Sequence, residues 1–410
     1  MTYRIPTRCL ACGSENLRPY FKAPPHPPAN ALRAGVDVDQ TRYPLGLNVC
    51  IDCWHSQNVI ALDPEMLFAD YPYVSGTSKT LRDYFETFVT LVENDMVSEN
   101  PDQKLRVLDI AANDGSLLAA FKARGHEVLG VDPAANLTAI SEKAGVTVLP
   151  WLWERVPEHK LGGKFDVIIA MNVLAHVENP ALFLRLARLS LKPYGRLYVQ
   201  TSQAKMIERG EFDTVYHEHL SFFTARSLDA LIARCGLTLL GIDHVPIHGT
   251  SYLASMMAGS PSNLSRDIAI TERAAGYYDL ALYDGFQARA VDRAVTARTA
   301  IDEYRARGYR VIGYGAAAKA ITFLNFAGIE LDAIVDENPM KIGRFLPLQD
   351  TQIVPLDSII GDGPILWVIG AWNFKDEIMG KIHDWRPGNR DAFMTWFPEV
   401  SIEDPEQSHD

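Results

Sequence analysis

The chain is sparing with cysteine, having only five in 410 residues. It has no excess of basic residues, no apolar run long enough to span a bilayer, and neither an HExxH nor a GxGxxG string. Each absence excludes something. A net charge of −12 argues against a partner held mainly by its phosphate backbone, because counterion release needs a basic surface. Without about 20 consecutive apolar residues, no transmembrane helix is expected. Without HExxH there is no helical zinc-protease pair. Without GxGxxG there is no standard turn through which a backbone approaches a pyrophosphate. The first residues lack the charged and apolar regions of a signal peptide. With thiols expected to be reduced, that makes a cytoplasmic location the expectation. Apolar residues at 47% and charged residues at 22% describe an ordinary globular protein, long enough for two or three domains.

What cysteine there is lies in a pattern. Cys9 and Cys12 form one CxxC pair, Cys50 and Cys53 a second, with 37 residues between the pairs. Two residues between cysteines let both sulfurs face one point, and two such knuckles complete a tetrahedron of thiolates. A closed tetra-thiolate site suits a structural zinc ion that staples a loop-rich module. His26 and His55 are possible substitute ligands, and Cys235 reads as a core residue of a helix.

The chain divides into residues 1–75, 76–262 and 263–410. The first part holds the knuckles and the extended run Ala23-Pro24-Pro25-His26-Pro27-Pro28. A helix is expected over 78–93, where Leu81, Tyr84, Phe85, Phe88 and Val92 repeat at helical spacing. From about Leu105, strands (106–110, 127–131, 166–171, 196–200) alternate with helices (116–124, 135–144, 181–191). Such alternation predicts a parallel sheet covered on both faces. One long helical stretch is expected over 265–307. A second α/β unit follows, with strands at 310–314, 333–336 and 365–369 and a helix at 317–327.

The first α/β unit runs Asp109-Ile110-Ala111-Ala112-Asn113-Asp114-Gly115 from a buried strand into a helix. The next strand ends at Asp132-Pro133, 23 residues after Asp109. Strand ends at the carboxyl edge of such a sheet form the ligand crevice, and an acid there can accept from both ribose hydroxyls of a nucleoside. The loop is acidic, so a diphosphate is a poor guest. A cationic nucleoside such as S-adenosylmethionine fits better, with Asp109, Ala111, Asn113, Gly115, Asp132, Pro133 and Asn172 as candidate cofactor contacts. Asn172 and His176 follow the strand 166–171 to the mouth of the same crevice.

The segment Tyr216-His217-Glu218-His219 places four groups able to exchange protons against the aromatic pair Phe222-Phe223. Such a cluster is a candidate acid–base centre, or else a set of satisfied polar side chains before a helix. His244, close before His248-Gly249-Thr250-Ser251, belongs to a substrate loop or to a turn between strands.

The twin CxxC module, the Ile-Ala-Ala-Asn-Asp-Gly loop, the string Glu218-His219-Leu220-Ser221-Phe222-Phe223-Thr224 and the turn Gly313-Tyr314-Gly315-Ala316-Ala317-Ala318-Lys319 occur in one order. That order resembles the S-adenosylmethionine-dependent sugar C-methyltransferases of the tetronitrose type, which methylate C-3 of nucleotide-linked 4-keto-deoxysugars in antibiotic biosynthesis. The resemblance implies a zinc module, a Rossmann-like methyltransferase sheet, and a C-terminal Rossmann-like α/β domain that contributes to sugar-nucleotide binding. It implies His219 as general base, Tyr216 and Glu218 as assistants, and His176 facing the substrate. With it, Tyr73, Lys79, His244, Gly315, Lys319 and Lys341 are candidate contacts to a TDP- or GDP-linked sugar. The chemistry agrees: a carbon beside a ketone becomes nucleophilic once a base near neutral pKa removes its proton. Read by itself, the Gly313–Lys319 turn suits either a nicotinamide cofactor or a unit that holds the sugar's diphosphate at a helix N-terminus. Two other functions stay open: a zinc-bearing methyltransferase acting on RNA or on an oxygen or nitrogen of another small molecule, and a non-catalytic scaffold.

Overall fold

The computed structural model describes residues 3–69, 74–77, 79–97, 103–201, 205–247, 250–260, 266–361 and 363–404. Tyr73, a candidate substrate contact, lies outside them, as do His248 and Gly249.

The alternation from Leu105 builds a seven-stranded sheet. Its spatial order is Leu237–Val245, Ser251–Ala258, Leu191–Thr201, Phe165–Met171, Arg106–Ile110, Glu127–Val131, Val148–Leu149. The last five are parallel, and Ser251–Ala258 runs antiparallel to both of its neighbours. Strands buried on both faces read as continuous apolar runs, which is why Val107, Leu108, Val167, Ile168 and Ile169 were legible. The antiparallel pairing of 237–245 with 251–258 bears out the second reading of the His244 region, a turn between strands. The helix Lys79–Met96 covers one face through Leu81, Phe85, Phe88, Val89 and Val92.

A second sheet of six strands has the order Ile353–Val354, Ala333–Val335, Arg310–Tyr314, Ile365–Ile369, Ala392–Thr395, Ser401–Glu403. The helical stretch before it is not continuous. It forms the helices Arg266–Ala274, Leu280–Asp284 and Phe286–Ala306. Gly276 takes a left-handed φ of 83°, and the Asp279 carboxylate caps the second helix by accepting from Ala281 N. The glycines of the Gly313–Gly315 turn answer to packing. A Cβ on Gly313 would meet Ile334 at 2.7 Å, and one on Gly370 would meet the Gly315 carbonyl at 2.2 Å.

The N-terminal part is less loop-rich than expected. Leu17–His26, Tyr43–Cys50 and Ser56–Asn58 form an antiparallel sheet. The fourth strand of that sheet is Ser221–Phe222, supplied from far along the chain. Its apolar face shares one core with the second half of the chain. Phe21 packs 5.3 Å from Phe286 and 5.8 Å from Phe326, ring centre to ring centre. The N-terminal sheet thus adjoins the Tyr216–His219 segment, because the strand that pairs with it directly follows His219 and Leu220.

Candidate active site

The carboxyl ends of Arg106–Ile110, Glu127–Val131 and Phe165–Met171 open into a cleft of about 1190 Å³. Its walls come from the first sheet, from the N-terminal part (Asn30, in the loop between Leu17–His26 and Tyr43–Cys50) and from the second α/β unit (Lys319, Trp372).

One side of the cleft is acidic. Asp132 Oδ2 accepts from Asn113 N at 2.8 Å, and its Oδ1 accepts from Ala134 N at 2.8 Å. These bonds shape the Ala111–Gly115 loop, in which Ala111 and Asn113 hold left-handed φ values of 64° and 51°. Asp114 caps the same loop, accepting from Ser116 N and from Gly76 N. Asp109 is buried, and its Oδ1 finds no hydrogen-bond donor among the described residues. Burial, followed by the neighbouring Asp132 and Asp114, pushes its carboxyl well above the usual range. Burial also raises Asp132, while the two backbone N–H bonds oppose that rise. A cation placed among three such carboxylates would relieve both effects. The donor set thus fits S-adenosylmethionine, whose sulfonium and ammonium are positive and which carries no phosphate. Gly115, with φ of 77°, starts the helix Ser116–Ala123. It shapes the loop and stands outside the cleft lining, whereas Ala111, Asn113, Pro133 and Asn172 face the cleft.

Sequence reasoning missed Trp151, Trp153 and Glu154 in the cleft wall. They follow the strand Val148–Leu149, whose two residues are too short to register as a strand. Also missed was a chain of side chains behind Asn172. The Tyr84 hydroxyl donates to Gln200 Oε1 at 2.6 Å, and Gln200 Nε2 donates to Asn172 Oδ1 at 3.1 Å. That chain holds Asn172 at a left-handed φ of 56°.

Facing the acids across the cleft stand Tyr216, His219 and His176. His219 Nδ1 lies 2.8 Å from the Thr214 carbonyl, which can only accept, so the neutral ring carries its proton on Nδ1. Nε2 is then the acceptor, and the Tyr216 hydroxyl donates to it at 2.9 Å. The His176 ring centre lies 4.9 Å from that of His219. Burial pushes His176 down to about 4, so it is neutral near neutral pH, and its Nδ1 has no partner among the described residues. His217 points the other way, donating Nε2–H to the Pro44 carbonyl at 3.1 Å. Glu218 is buried, which raises its pKa, and its Oε1 accepts from Asn30 Nδ2 at 3.0 Å.

The third wall is the start of the helix Ala318–Ala327, which has no side-chain cap. Lys319 Nζ lies 4.7 Å from the centre of the Trp372 ring and makes no hydrogen bond among the described residues. Lys341 reaches the cleft, but its Nζ already donates to the Ala316 carbonyl at 2.9 Å and lies 3.5 Å from Asp336. Gly315 shapes the turn without lining the cleft. Two expected substrate contacts are not brought to the site. Lys79 is exposed and pairs with Asp83 one helical turn on, and His244 lies in the hairpin strand against Tyr252.

The four thiols meet as the spacing requires. All four Sγ atoms lie within 4.8 Å of one another, with Cys9 to Cys53 at 3.5 Å and Cys12 to Cys50 at 3.6 Å. Zinc–sulfur bonds of about 2.3 Å give tetrahedral edges of about 3.8 Å, so the donor set fits zinc.

Comparison with known proteins agrees with this layout. Residues 9–68 match a zinc binding domain, 81–241 a methyltransferase domain, and 246–398 a C-methyltransferase C-terminal domain. The C-methyltransferase NovU of Streptomyces niveus is 24% identical over 407 residues, which span 96% of each chain. In the order of its three matched parts, and over its whole length, the chain resembles a C-methyltransferase. As a C-methyltransferase it depends on S-adenosylmethionine and carries a zinc-binding module. Its methyltransferase part alone is shared more widely. A ubiquinone biosynthesis O-methyltransferase of Nitrobacter winogradskyi is 36% identical over 101 residues, 24% of this chain and 38% of that one. Magnesium protoporphyrin IX methyltransferase from Synechocystis, solved with bound S-adenosylmethionine, is 14% identical over 43% of this chain and 78% of that one, with a TM-score of 0.33. No helix among the described residues is long and apolar enough to cross a membrane.

Proposed function

We propose that this C-methyltransferase acts on a nucleotide-linked 4-keto-deoxysugar, removing the proton at C-3 and methylating the enolate that results. The observation that carries the reading is the Tyr216–His219 pair, with its acceptor nitrogen fixed, set opposite an acidic nucleoside site in one cleft. O- and N-methylation act on lone pairs already present, so a base there only takes up the proton released from oxygen or nitrogen and does not create the nucleophile. A carbon acid needs the base for that.

When bound, S-adenosylmethionine supplies a methyl group on a sulfonium. Asp132 accepts from its ribose, and Asp109 and Asp114 offset its positive charge. His219 Nε2 is the terminal proton acceptor, and the Tyr216 oxygen passes the proton or yields its place to the carbon acid. The Thr214 carbonyl stabilises the imidazolium that forms, since Nδ1–H already points at it. His176, held neutral by burial, adds no positive charge beside a cationic cofactor and can offer a hydrogen bond to the enolate oxygen. At the far wall, the uncapped start of the helix Ala318–Ala327 and the Lys319 ammonium, which makes no hydrogen bond among the described residues, suit the sugar's diphosphate. The thiolate site has a structural role, because four cysteines leave zinc no open position.

Incubation of the protein with S-adenosylmethionine and TDP- or GDP-linked 4-keto-deoxysugars tests this. A new C-methyl resonance on a carbon beside the ketone is expected. Methylation of oxygen or nitrogen, or turnover of RNA instead, would overturn the reading.

A further inference from the structure

The zinc module does more in this structure than fold a terminus. From Tyr216 to Phe223, almost every residue is held by it. Asn58 Nδ2 reaches the Tyr216 carbonyl at 3.4 Å. His217 is bonded to the Pro44 carbonyl at 3.1 Å and Glu218 to Asn30 at 3.0 Å. Asn58 N donates to the Leu220 carbonyl at 2.9 Å. Ser221 and Phe222 pair in a strand with Gln57 and Ser56, and the Phe223 ring lies 4.7 Å from His55. The exception is His219, which faces the cleft.

These holding residues are themselves set by the thiolates. The run Ser56–Asn58 begins three residues after Cys53. Cys50 N accepts its place by donating to the His55 carbonyl, and Gln57 is locked by Leu10 N and the Arg8 carbonyl, beside Cys9. A metal that ties Cys50 and Cys53 to Cys9 and Cys12 therefore fixes the start of the strand Ser56–Asn58 and its central Gln57, against which Ser221 and Phe222 pair.

We propose that the thiolate module is a positioning element of the catalytic cleft, acting on the Tyr216–His219 pair through Asn58 and, at the cleft wall, through the Asn30–Glu218 hydrogen bond. Asn30 lines the cleft from the module's side, and Glu218 offers it one oxygen while the other has no partner among the described residues. Removing the Asn30 amide takes the side-chain donor from a buried carboxyl two residues from Tyr216 and leaves it the backbone N–H groups of Asn30 and Glu218, so the segment must shift to restore what is lost.

The proposal rests on the reading that this segment carries proton abstraction, but one arm of its test does not. Amide hydrogen exchange of the zinc-loaded protein and of the protein treated with a chelator is compared segment by segment. Exchange across 216–223 should rise by about tenfold or more on metal removal, while the strand Arg106–Ile110 stays protected, and zinc should reverse the change. Unchanged protection at 216–223 after verified metal loss would overturn the proposal whatever the substrate is. The second arm uses Asn30→Ala and Asn30→Asp, neither of which touches a thiolate. Both should keep one zinc per chain and unchanged affinity for S-adenosylhomocysteine, while kcat and exchange of the substrate's α-proton with deuterated water fall by about tenfold or more. Asp has Asn's shape but lacks the amide donor and sets a second carboxyl against Glu218, so its loss should be at least that of Asn30→Ala, and a fully active Asn30→Asp variant would overturn the role of the donor. Losses for Asn30→Ala and Glu218→Ala should not multiply in the double variant. Multiplying losses would show that Asn30 does not act through Glu218.

Discussion

At the scale of single residues, the site is a matter of which ring nitrogen carries the proton. His219 can take a proton only at Nε2, because the Thr214 carbonyl holds the other nitrogen as a donor. His219→Asn should keep affinity for S-adenosylhomocysteine while turnover falls by about 10²–10⁴, the usual cost of a lost general base. Exchange of the substrate's α-proton in deuterated water isolates that step. Normal exchange in this variant would move the base to His176 or Tyr216. Tyr216→Phe separates the two remaining roles. Exchange lost as fully as in His219→Asn means the proton travels through the tyrosine oxygen, and a small loss means Tyr216 only orients the ring. Across the cleft, Asp132→Ala should weaken S-adenosylhomocysteine binding by about 1.5–3 kcal/mol, the scale of a charge-assisted hydrogen bond. Calorimetry reads this directly. The residue types were legible because chemistry restricts them: few side chains other than histidine exchange protons near neutral pH. What could not be read was direction. His217 and His219 are two apart in sequence, and one faces a carbonyl of the N-terminal sheet while the other faces the cleft.

At the scale of elements, buried parallel strands and strongly amphipathic helices were plain in the sequence, and elements defined by their partners were not. Ser221–Phe222 is a strand only because Ser56 and Gln57 lie beside it. The same dependence governs Asp213, buried one residue before Thr214. Its Oδ2 accepts from the indole N–H of Trp372 and of Trp396, each at 3.0 Å, and so fastens the loop bearing the base to the second α/β unit. Burial raises its pKa, and the nearby Lys319 ammonium opposes that rise. Asp213→Ala strands the N–H of the fully buried Trp396, at about 1–3 kcal/mol for each donor left unpaired. A urea midpoint lowered on that scale, with Asp213→Asn less affected because its oxygen still accepts, is the expected pattern. Equal loss in both variants would mean that the charge, rather than the two indole bonds, matters at this position.

At the scale of the whole molecule, buried histidines set a pH response. His26, His176 and His217 are each pushed by burial down to about 4 from an ordinary value of 6.5. Between those values the unfolded chain binds their protons and the folded chain does not. Their contribution is therefore fully present above about 6.5 and is lost as pH falls toward about 4. Burial raises the carboxyls of Asp109, Asp132, Glu154, Glu211, Asp213, Glu218 and Glu272, and these act in the opposite sense, gaining stability as pH falls. His217→Gln, which keeps a donor for Pro44, isolates the histidine share: relative to the parent chain it should raise the urea midpoint at about pH 5 more than at about pH 7, and an equal change at both would show that His217 does not titrate with folding.

The sequence by itself determined the thiolate quartet, the parallel sheet, the acid at the end of the second strand and the cluster around His219. Each follows from a local rule of spacing, apolar pattern or side-chain chemistry acting over a few residues. Only the tertiary structure decided that these parts meet. It put Asn30 and Glu218 in contact across 188 residues, and Asp213 with Trp396 across 183. It also turned Lys79 and His244 away from the cleft and brought Lys319 into it. Such meetings depend on how whole sheets pack through shared aromatic cores, where dispersion and burial are summed over many residues. No short stretch of the chain carries that sum, so no motif could have announced it.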